Sequence, residues 1–196
     1  MSDHLRVGVL SFQGDFARHA ACLEELGADV VSVRTPEAIS QIDGLVIPGG
    51  ESTTIGMLMD RFGLLDAARK AAEEEDLAIF GTCAGAILLA KDIRNSDQPR
   101  LGLMEMEVER NAYGRQVDSF EASFSSEVFR EEPLRGVFIR APIIRSIRPP
   151  VETIASYEEL PVVVRQGTLL AATFHPELTG DTRLHSYFLE MVRRRT

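Results

Sequence analysis

The sequence predicts an α/β fold: one domain over residues 1–196, with a mostly parallel central sheet flanked by helices. Three observations carry that expectation. Short apolar runs alternate with helical stretches through the first 90 residues, the pattern of βαβ units. The runs are apolar throughout rather than at every second residue, as in strands covered on both faces. Beyond Leu101 several strand-like runs follow closely, so extra short strands are expected in the C-terminal half.

Residues 5–11 (LRVGVLS) read as a buried first strand, stopped by Gln13-Gly14. Residues 15–26 have helical periodicity. Phe16, His19/Ala20, Leu23 and Leu26 form one stripe, and Gly27 stands at the C-cap position. Residues 29–33 make a second strand and 44–47 a third, broken by Pro48-Gly49-Gly50. Helices are expected at 54–60 and 64–75, a fourth strand at 77–80 and a helix at 86–90. The later strand-like runs are 106–110, 137–139, 151–155, 162–165 and 169–174. Residues 181–194 close the chain as a helix, with Arg193, Arg194 and Arg195 suited to the negative end of its dipole. The acidic run Glu73-Glu74-Glu75-Asp76 reads as a solvated helix end.

A formal charge of −9 argues against nucleic acid as a partner, because phosphate neutralisation needs clustered cations. No apolar run approaches the roughly 18 residues of a membrane span. Residues 1–6 lack the basic, apolar, small-residue order of a signal peptide, so a cytoplasmic location is expected. Cys22 and Cys83 are too few for a disulfide framework or a zinc cluster and are expected as free thiols. The four histidines and two cysteines show no ligand spacing, so no metal is expected. No cofactor is expected either, since Lys70 and Lys91 fall on expected helix surfaces rather than at a Schiff-base position.

Gly81-Thr82-Cys83-Ala84-Gly85 lies between an expected strand and an expected helix, as the thiol form of a nucleophile elbow does. Small neighbours allow a sharp turn that lifts Cys83 out of the sheet. The helix that follows brings free N–H groups and positive dipole to the sulfur, which favours the attacking thiolate. The Ala84 N–H is expected to face the oxygen of a tetrahedral intermediate. The alternative for Cys83 is a buried structural cysteine. Cys22, on a helix among alanine and leucine, reads as a packing residue.

A nucleophilic cysteine needs a base. His4 is near the terminus, and His19 and His185 lie on expected helices without distinctive neighbours. His175 ends an apolar run and precedes Pro176-Glu177. In an extended segment His175 and Glu177 project to one side, at the C-terminal sheet edge where Cys83 also sits. A Cys83–His175–Glu177 triad is expected, His175 shuttling the proton and Glu177 fixing its tautomer. The alternative is a histidine that merely caps a strand.

The loop PGGESTT (48–54) lacks the Gly-Lys-Ser/Thr ending of a phosphate loop, and Glu51 would repel a phosphate. Its glycines permit close backbone approach to a ligand. Gly50 is expected to supply a second oxyanion N–H, with Glu51 and Ser52 as polar contacts to the substrate. A tight turn with Ser52 or Thr53 as helix N-cap is compatible with that role.

PGGESTT (48–54), FGTCAG (80–85), VERNAYGRQVDSF (108–120), VFIRAP (137–142) and FHPELT (174–179) resemble the glutaminase subunits of pyridoxal 5′-phosphate synthase. These are triad-type (class I) glutamine amidotransferases. The elbow and His-Pro-Glu mark the class, while PGGESTT and the VERNAYGRQVDSF stretch mark this family. The resemblance implies a flavodoxin-like fold and hydrolysis of L-glutamine to L-glutamate and ammonia. It implies delivery of that ammonia to a synthase subunit, in a large heteromeric complex, that builds pyridoxal 5′-phosphate from a pentose phosphate and a triose phosphate. It further implies activity confined to the complex, attack by Cys83, and substrate held by Gly50, Glu51, Ser52, Arg110, Ile139 and Arg140. Arg110 suits a bidentate grip on an α-carboxylate, although spacing alone reads it as a surface arginine. Gln13-Gly14 matches a family position near the site and the partner interface.

Three other readings stay open. A glutaminase feeding another synthase, such as one for histidine or anthranilate, is opposed by the VERNAYGRQVDSF stretch. A catalytically silent binding subunit is opposed by the intact Cys83, His175 and Glu177 set. A hydrolase or peptidase of similar architecture would differ in turning over esters rather than glutamine.

Overall fold

The computed structural model describes residues 5–110, 119–130 and 132–195, so His4 and residues 111–118 of the 108–120 stretch lie outside the described residues. The first strands are β1 (Arg6–Leu10), β2 (Asp29–Val33), β3 (Gly44–Ile47), β4 (Ala78–Thr82), β5 (Ala90–Ile93) and β6 (Met104–Glu109). The remainder are β7 (Ser119–Phe124), β8 (Leu134–Ile139), β9 (Ile143–Ile147), β10 (Glu152–Tyr157), β11 (Leu160–Gln166) and β12 (Leu169–Ala172). The helices are α1 (Phe16–Glu25), α2 (Pro36–Ile39), α3 (Ser52–Arg61), α4 (Leu64–Glu74), α5 (Ala84–Leu89) and α6 (Arg183–Arg195).

The main sheet runs β10-β11-β12-β4-β3-β1-β2. Its five strands from β12 to β2 are parallel, and β11 and β10 extend it antiparallel. The later strands also give a β5-β6-β9 sheet and a β7-β8 pair. Every residue of β3, β4 and β12 is buried, because apolar layers cover both faces. Leu45, Ile47, Ile79 and Ala171 pack with α3, α4 and α5 through residues such as Ile55, Met59, Leu64 and Leu88. Val46, Phe80, Leu170 and Ala172 point the other way, against Leu23 of α1 and Leu184 and Phe188 of α6.

Several boundaries differ from expectation. The helix expected at 86–90 starts at Ala84 and yields at Ala90 to β5, so Lys91 lies on a strand, paired with Glu105. β12 stops at Ala172 rather than 174, since the Thr173 N–H turns to Val162 and the His175 N–H to Val137. Helix α2 and strands β5, β7 and β9 stand in addition to the expected elements.

What matters for chemistry is strand adjacency. β4 lies between β12 and β3, with Thr82 opposite Ala172 and Gly81 opposite Ile47. Three neighbouring parallel strands therefore end side by side, followed by Pro48-Gly49-Gly50, by Cys83 and by Thr173 to His175. This C-terminal edge is where ligands bind in parallel α/β sheets.

The turn out of β4 tolerates no side chain. A Cβ on Gly81 would collide with the Gly85 carbonyl, and one on Gly85 would collide with the Ile47 carbonyl. Gly85→Ala is thus expected to force α5 off the end of β3 and cost about 1–3 kcal/mol, as overpacking does. Urea denaturation of the variant against the native chain measures this.

Candidate active site

Cys83 sits at the pivot between β4 and α5. Its N–H donates to the Ala172 carbonyl at 2.8 Å, and its backbone turns at φ +49°, ψ −102°. A positive φ at a non-glycine residue is strained and persists only where its surroundings impose it. Here the close approach of Gly81, Gly85 and Ile47 imposes it. The sulfur faces the Ile139 carbonyl at 3.9 Å. Ala84 opens α5, so its N–H has no acceptor within the helix.

His175 is fixed from three directions. Its backbone N–H donates to Val137 of β8 at 2.8 Å, and its Nδ1 lies 2.8 Å from Glu177 Oε1. Its ring packs so closely on Gly49 that any Cβ there would strike Cε1. Glu177 reaches the ring differently from expectation: Pro176–Leu178 is a 3-10 turn, not an extended segment. The proline starts the turn, and the turn folds the carboxylate back under the imidazole.

Burial opposes charge on both partners, yet the pairing wins. Burial disfavours the imidazolium, but Cys83 and Glu177 beside it raise His175 to about 10. Burial likewise opposes ionisation of Glu177, but His175 and His19 hold it well below the usual carboxylate range. His175 Nδ1 therefore carries the proton given to Glu177, which leaves Nε2 for the sulfur side.

The glycine loop is anchored by its neighbours. The Gln13 side-chain carbonyl accepts the Glu51 N–H at 3.1 Å. The N-cap of α3 is Glu51, not Ser52 or Thr53: its carboxylate accepts the N–H groups of Thr53 and Thr54 at 3.2 and 2.8 Å. A carboxylate at a helix start satisfies two orphan donors and complements the dipole, an advantage over a hydroxyl. Arg110 donates to Glu51 Oε1 at 2.9 Å, to Thr53 Oγ1 at 2.9 Å and to Gln98 Oε1 at 2.8 Å. The Ser52 hydroxyl is buried and also donates to Gln98, at 3.2 Å.

A cleft of about 290 Å³ brings Gly50, Glu51, Ser52, Cys83, Arg110, Ile139, Arg140 and His175 together. Ile139 is 37% exposed there, and Arg140 turns at φ +43°. Glu177 stands behind His175, out of the cleft and 4% exposed. Ile87 also lines the cleft; it lies one helical turn beyond Cys83, so spacing offered a signal for it. Gln98 left no local signal.

The larger omission is His19. It is fully buried, with Nε2 3.2 Å from Glu177 Oε2 and 3.1 Å from Thr82 Oγ1, and Nδ1 2.9 Å from His185 Nε2. The helical stripe placed it inward, but nothing in α1 marked its partners. Among the described residues both cysteines are free; Cys22 is half-buried, and burial with the nearby Glu177 charge pushes its thiol up.

Two outcomes follow from this geometry. Gly49→Ala displaces either the loop or the His175 ring, and turnover of glutamine, the implied substrate, is expected to fall about 100-fold, as for a misplacement of about 1 Å. Steady-state kinetics alongside a melting curve separates this from unfolding. The raised His175 contributes stability that is complete below pH 6.5 and is lost as pH rises towards about 10. The lowered Glu177 contributes stability present above pH 4.5 and lost as pH falls through its depressed value. Glu177→Gln removes the second contribution and the share of the first that Glu177 supplies, Cys83 supplying the rest, so calorimetry is expected to show a partly flattened melting profile from pH 6.5 to 10 relative to the native chain.

Residues 9–194 match the model of the SNO glutamine amidotransferase family. The chain is 56% identical over 188 residues to the pyridoxal 5′-phosphate synthase subunit PdxT of Moorella thermoacetica, covering 96% of this chain and 100% of that protein. It is 53% identical over 187 residues to PdxT of Thermus thermophilus, covering 95% and 97%. A solved structure described as a glutamine amidotransferase superposes with a TM-score of 0.91 at 53% identity, covering 95% of this chain and 98% of that one. By this full-length likeness the chain belongs to the SNO glutamine amidotransferase family.

Proposed function

We infer that this chain is the glutaminase subunit of a pyridoxal 5′-phosphate synthase. It hydrolyses L-glutamine to L-glutamate and ammonia and passes the ammonia to the synthase subunit for vitamin B6 synthesis. The observation that carries this reading is the convergence of Cys83 and His175 on one cleft, with Glu177 paired behind His175, in a chain 56% identical to a PdxT subunit. The family match from 9 to 194 supports reading 1–196 as a single glutaminase domain. No described helix is long and apolar enough to cross a membrane, and with two free thiols this supports a cytoplasmic protein.

The chemistry follows from the placement of the groups. Cys83 thiolate attacks the carboxamide carbon, and the carbonyl oxygen becomes an oxyanion that the N–H groups of Ala84 and Gly50 stabilise. The imidazolium of His175 gives its Nε2 proton to the departing nitrogen, so ammonia leaves and a thioester remains on Cys83. His175, now neutral, takes a proton from water, which attacks the thioester. Glutamate departs, and the thiolate–imidazolium pair returns. Glu177 keeps the Nδ1 proton in place throughout. Arg110, Glu51, Ser52, Ile139 and Arg140 surround the amino-acid end of the substrate, with Arg110 as the carboxylate partner.

Glutamate release by the purified chain, alone and with the synthase subunit, tests the reading. Turnover is expected to rise sharply with the partner and to vanish in Cys83→Ala. Equal turnover without the partner would remove the coupling. Absence of turnover with the partner bound would leave a silent binding subunit.

A further inference from the structure

Glu177 has two carboxylate oxygens, and the triad accounts for one of them. Oε1 takes the Nδ1 proton of His175 at 2.8 Å. Oε2 lies 3.2 Å from His19 Nε2 in an ion-pair contact off hydrogen-bond alignment, so it is a buried oxygen without a hydrogen bond, and the side chains of both Glu177 and His19 are wholly shielded from water. A buried carboxylate oxygen without a donor is strongly unfavourable. A carboxylate can only accept, so each nitrogen facing it must carry a proton. This sets the tautomers: His175 is protonated on Nδ1 and His19 on Nε2.

The rest of the chain of contacts agrees. In a neutral His19 protonated on Nε2, Nδ1 is an acceptor, and His185 Nε2 stands 2.9 Å away to serve as its donor. His185 is then a neutral ring with a bare Nδ1, and Nδ1 is a buried atom without a partner. Burial pushes His185 down to about 3, as a neutral ring requires. The same His19 Nε2 lies 3.1 Å from the hydroxyl of Thr82, the residue just before Cys83. One imidazole of α1 thus touches both the acid behind His175 and the strand end that presents the nucleophile. The rings of Phe80 and His185 pack against it, edge-on and tilted respectively.

We propose that His19 is a positioning residue of the triad: its Nε2–H, bonded to Thr82 and facing Glu177 Oε2 at 3.2 Å, holds the Glu177 carboxylate electrostatically against His175, and His185 fixes the tautomer of His19. The proposal rests on the reading of Cys83, His175 and Glu177 as the catalytic set. His19 touches no substrate. It acts through Glu177, by leaving the carboxylate a single orientation in which Oε1 meets His175.

Three readouts test this on the full-length chain. In native protein with 15N-labelled histidine, the imidazole spectrum is expected to show His19 protonated on Nε2. A ring protonated on Nδ1 alone, with Thr82 donating into Nε2, would overturn the proposal without any variant. Next, alkylation of Cys83 by iodoacetamide at pH 7 is followed by mass spectrometry of the Cys83 peptide. His19→Leu, which keeps bulk but loses the donor, is expected to slow it about 10–100-fold, the range of other orienting hydrogen bonds. His19→Gln, which returns an N–H near the same place, is expected to recover most of that rate. With the synthase subunit added, the loss in His19→Leu is expected in kcat rather than KM.

Alkylation rates equal to native in both variants would show a residue that only fills the core. Equal losses in both would sink the donor role. Should His19→Leu fail to fold, the native tautomer and His19→Gln still decide. A native chain that alkylates as expected but never releases glutamate would refute the glutaminase reading and leave the His19 result standing.

Discussion

The candidate site depends on one packing constraint, the contact of α5 with the ends of β3 and β4. Gly81 lies under the Gly85 carbonyl, and Gly85 lies under the Ile47 carbonyl, at distances no side chain permits. That contact brings the first turn of α5 down onto the sheet edge and holds Cys83 at φ +49°. The strain at one residue, of order 1–3 kcal/mol, is offset by burial of all six residues of α5. A thiol on an ordinary strand or helix would point into an apolar layer. Here it is lifted to the rim, beside free helix N–H groups, because the backbone has nowhere else to go.

The second constraint is electrostatic and follows from the first. An edge where three buried strands stop is a poor solvent for charge, and Glu177 is charged there. Isolated, it would protonate instead of remaining ionised. Imidazoles on either side of the carboxylate, on α1 and after β12, reverse that preference. Cys83 and the same pairing raise His175, so His175 and Glu177 stabilise each other's charged forms. The fold holds this arrangement through backbone bonds, Val137 to His175 and Ala172 to Cys83, that align β8, β12 and β4 independently of the side chains.

What the sequence made legible is what local pattern encodes. β3, β4 and β12 are short apolar runs followed by glycine, proline or cysteine, and their ends were found within two residues. The elbow was legible because its glycines bracket the cysteine. β7 was not, since its alternating SFEASF pattern pairs only with β8. β5 was hidden because AKDI continues directly from α5, with only its ends buried. The 3-10 turn at Pro176 was masked by the extended look of a His-Pro-Glu tripeptide. His19 and His185 are separated by 166 positions and meet only when α1 and α6 pack on the same face. No local signal can report such a pair, so the supporting layer of a buried site is the part a sequence conceals.

The two ends of the cleft differ in how firmly they are held, and burial sets the difference. The Arg110–Glu51 pair is partly solvated, and exposed ion pairs contribute only about 0–1 kcal/mol. A ligand carboxylate arriving at Arg110 can therefore exchange for Glu51 at little cost. The cap of α3 survives that exchange, because Glu51 Oε2 keeps the Thr54 N–H and hydroxyl at 2.8 Å while Oε1 is the oxygen facing Arg110. Breaking one side of the buried Glu177 pairing is another matter, of order 3–5 kcal/mol, since it strands a charge without water. On the proposed reading, recognition falls to the end of the cleft that can rearrange and bond-making to the end that cannot. That division needs no moving domain, only the change from solvated to dry surroundings between Arg110 and His175.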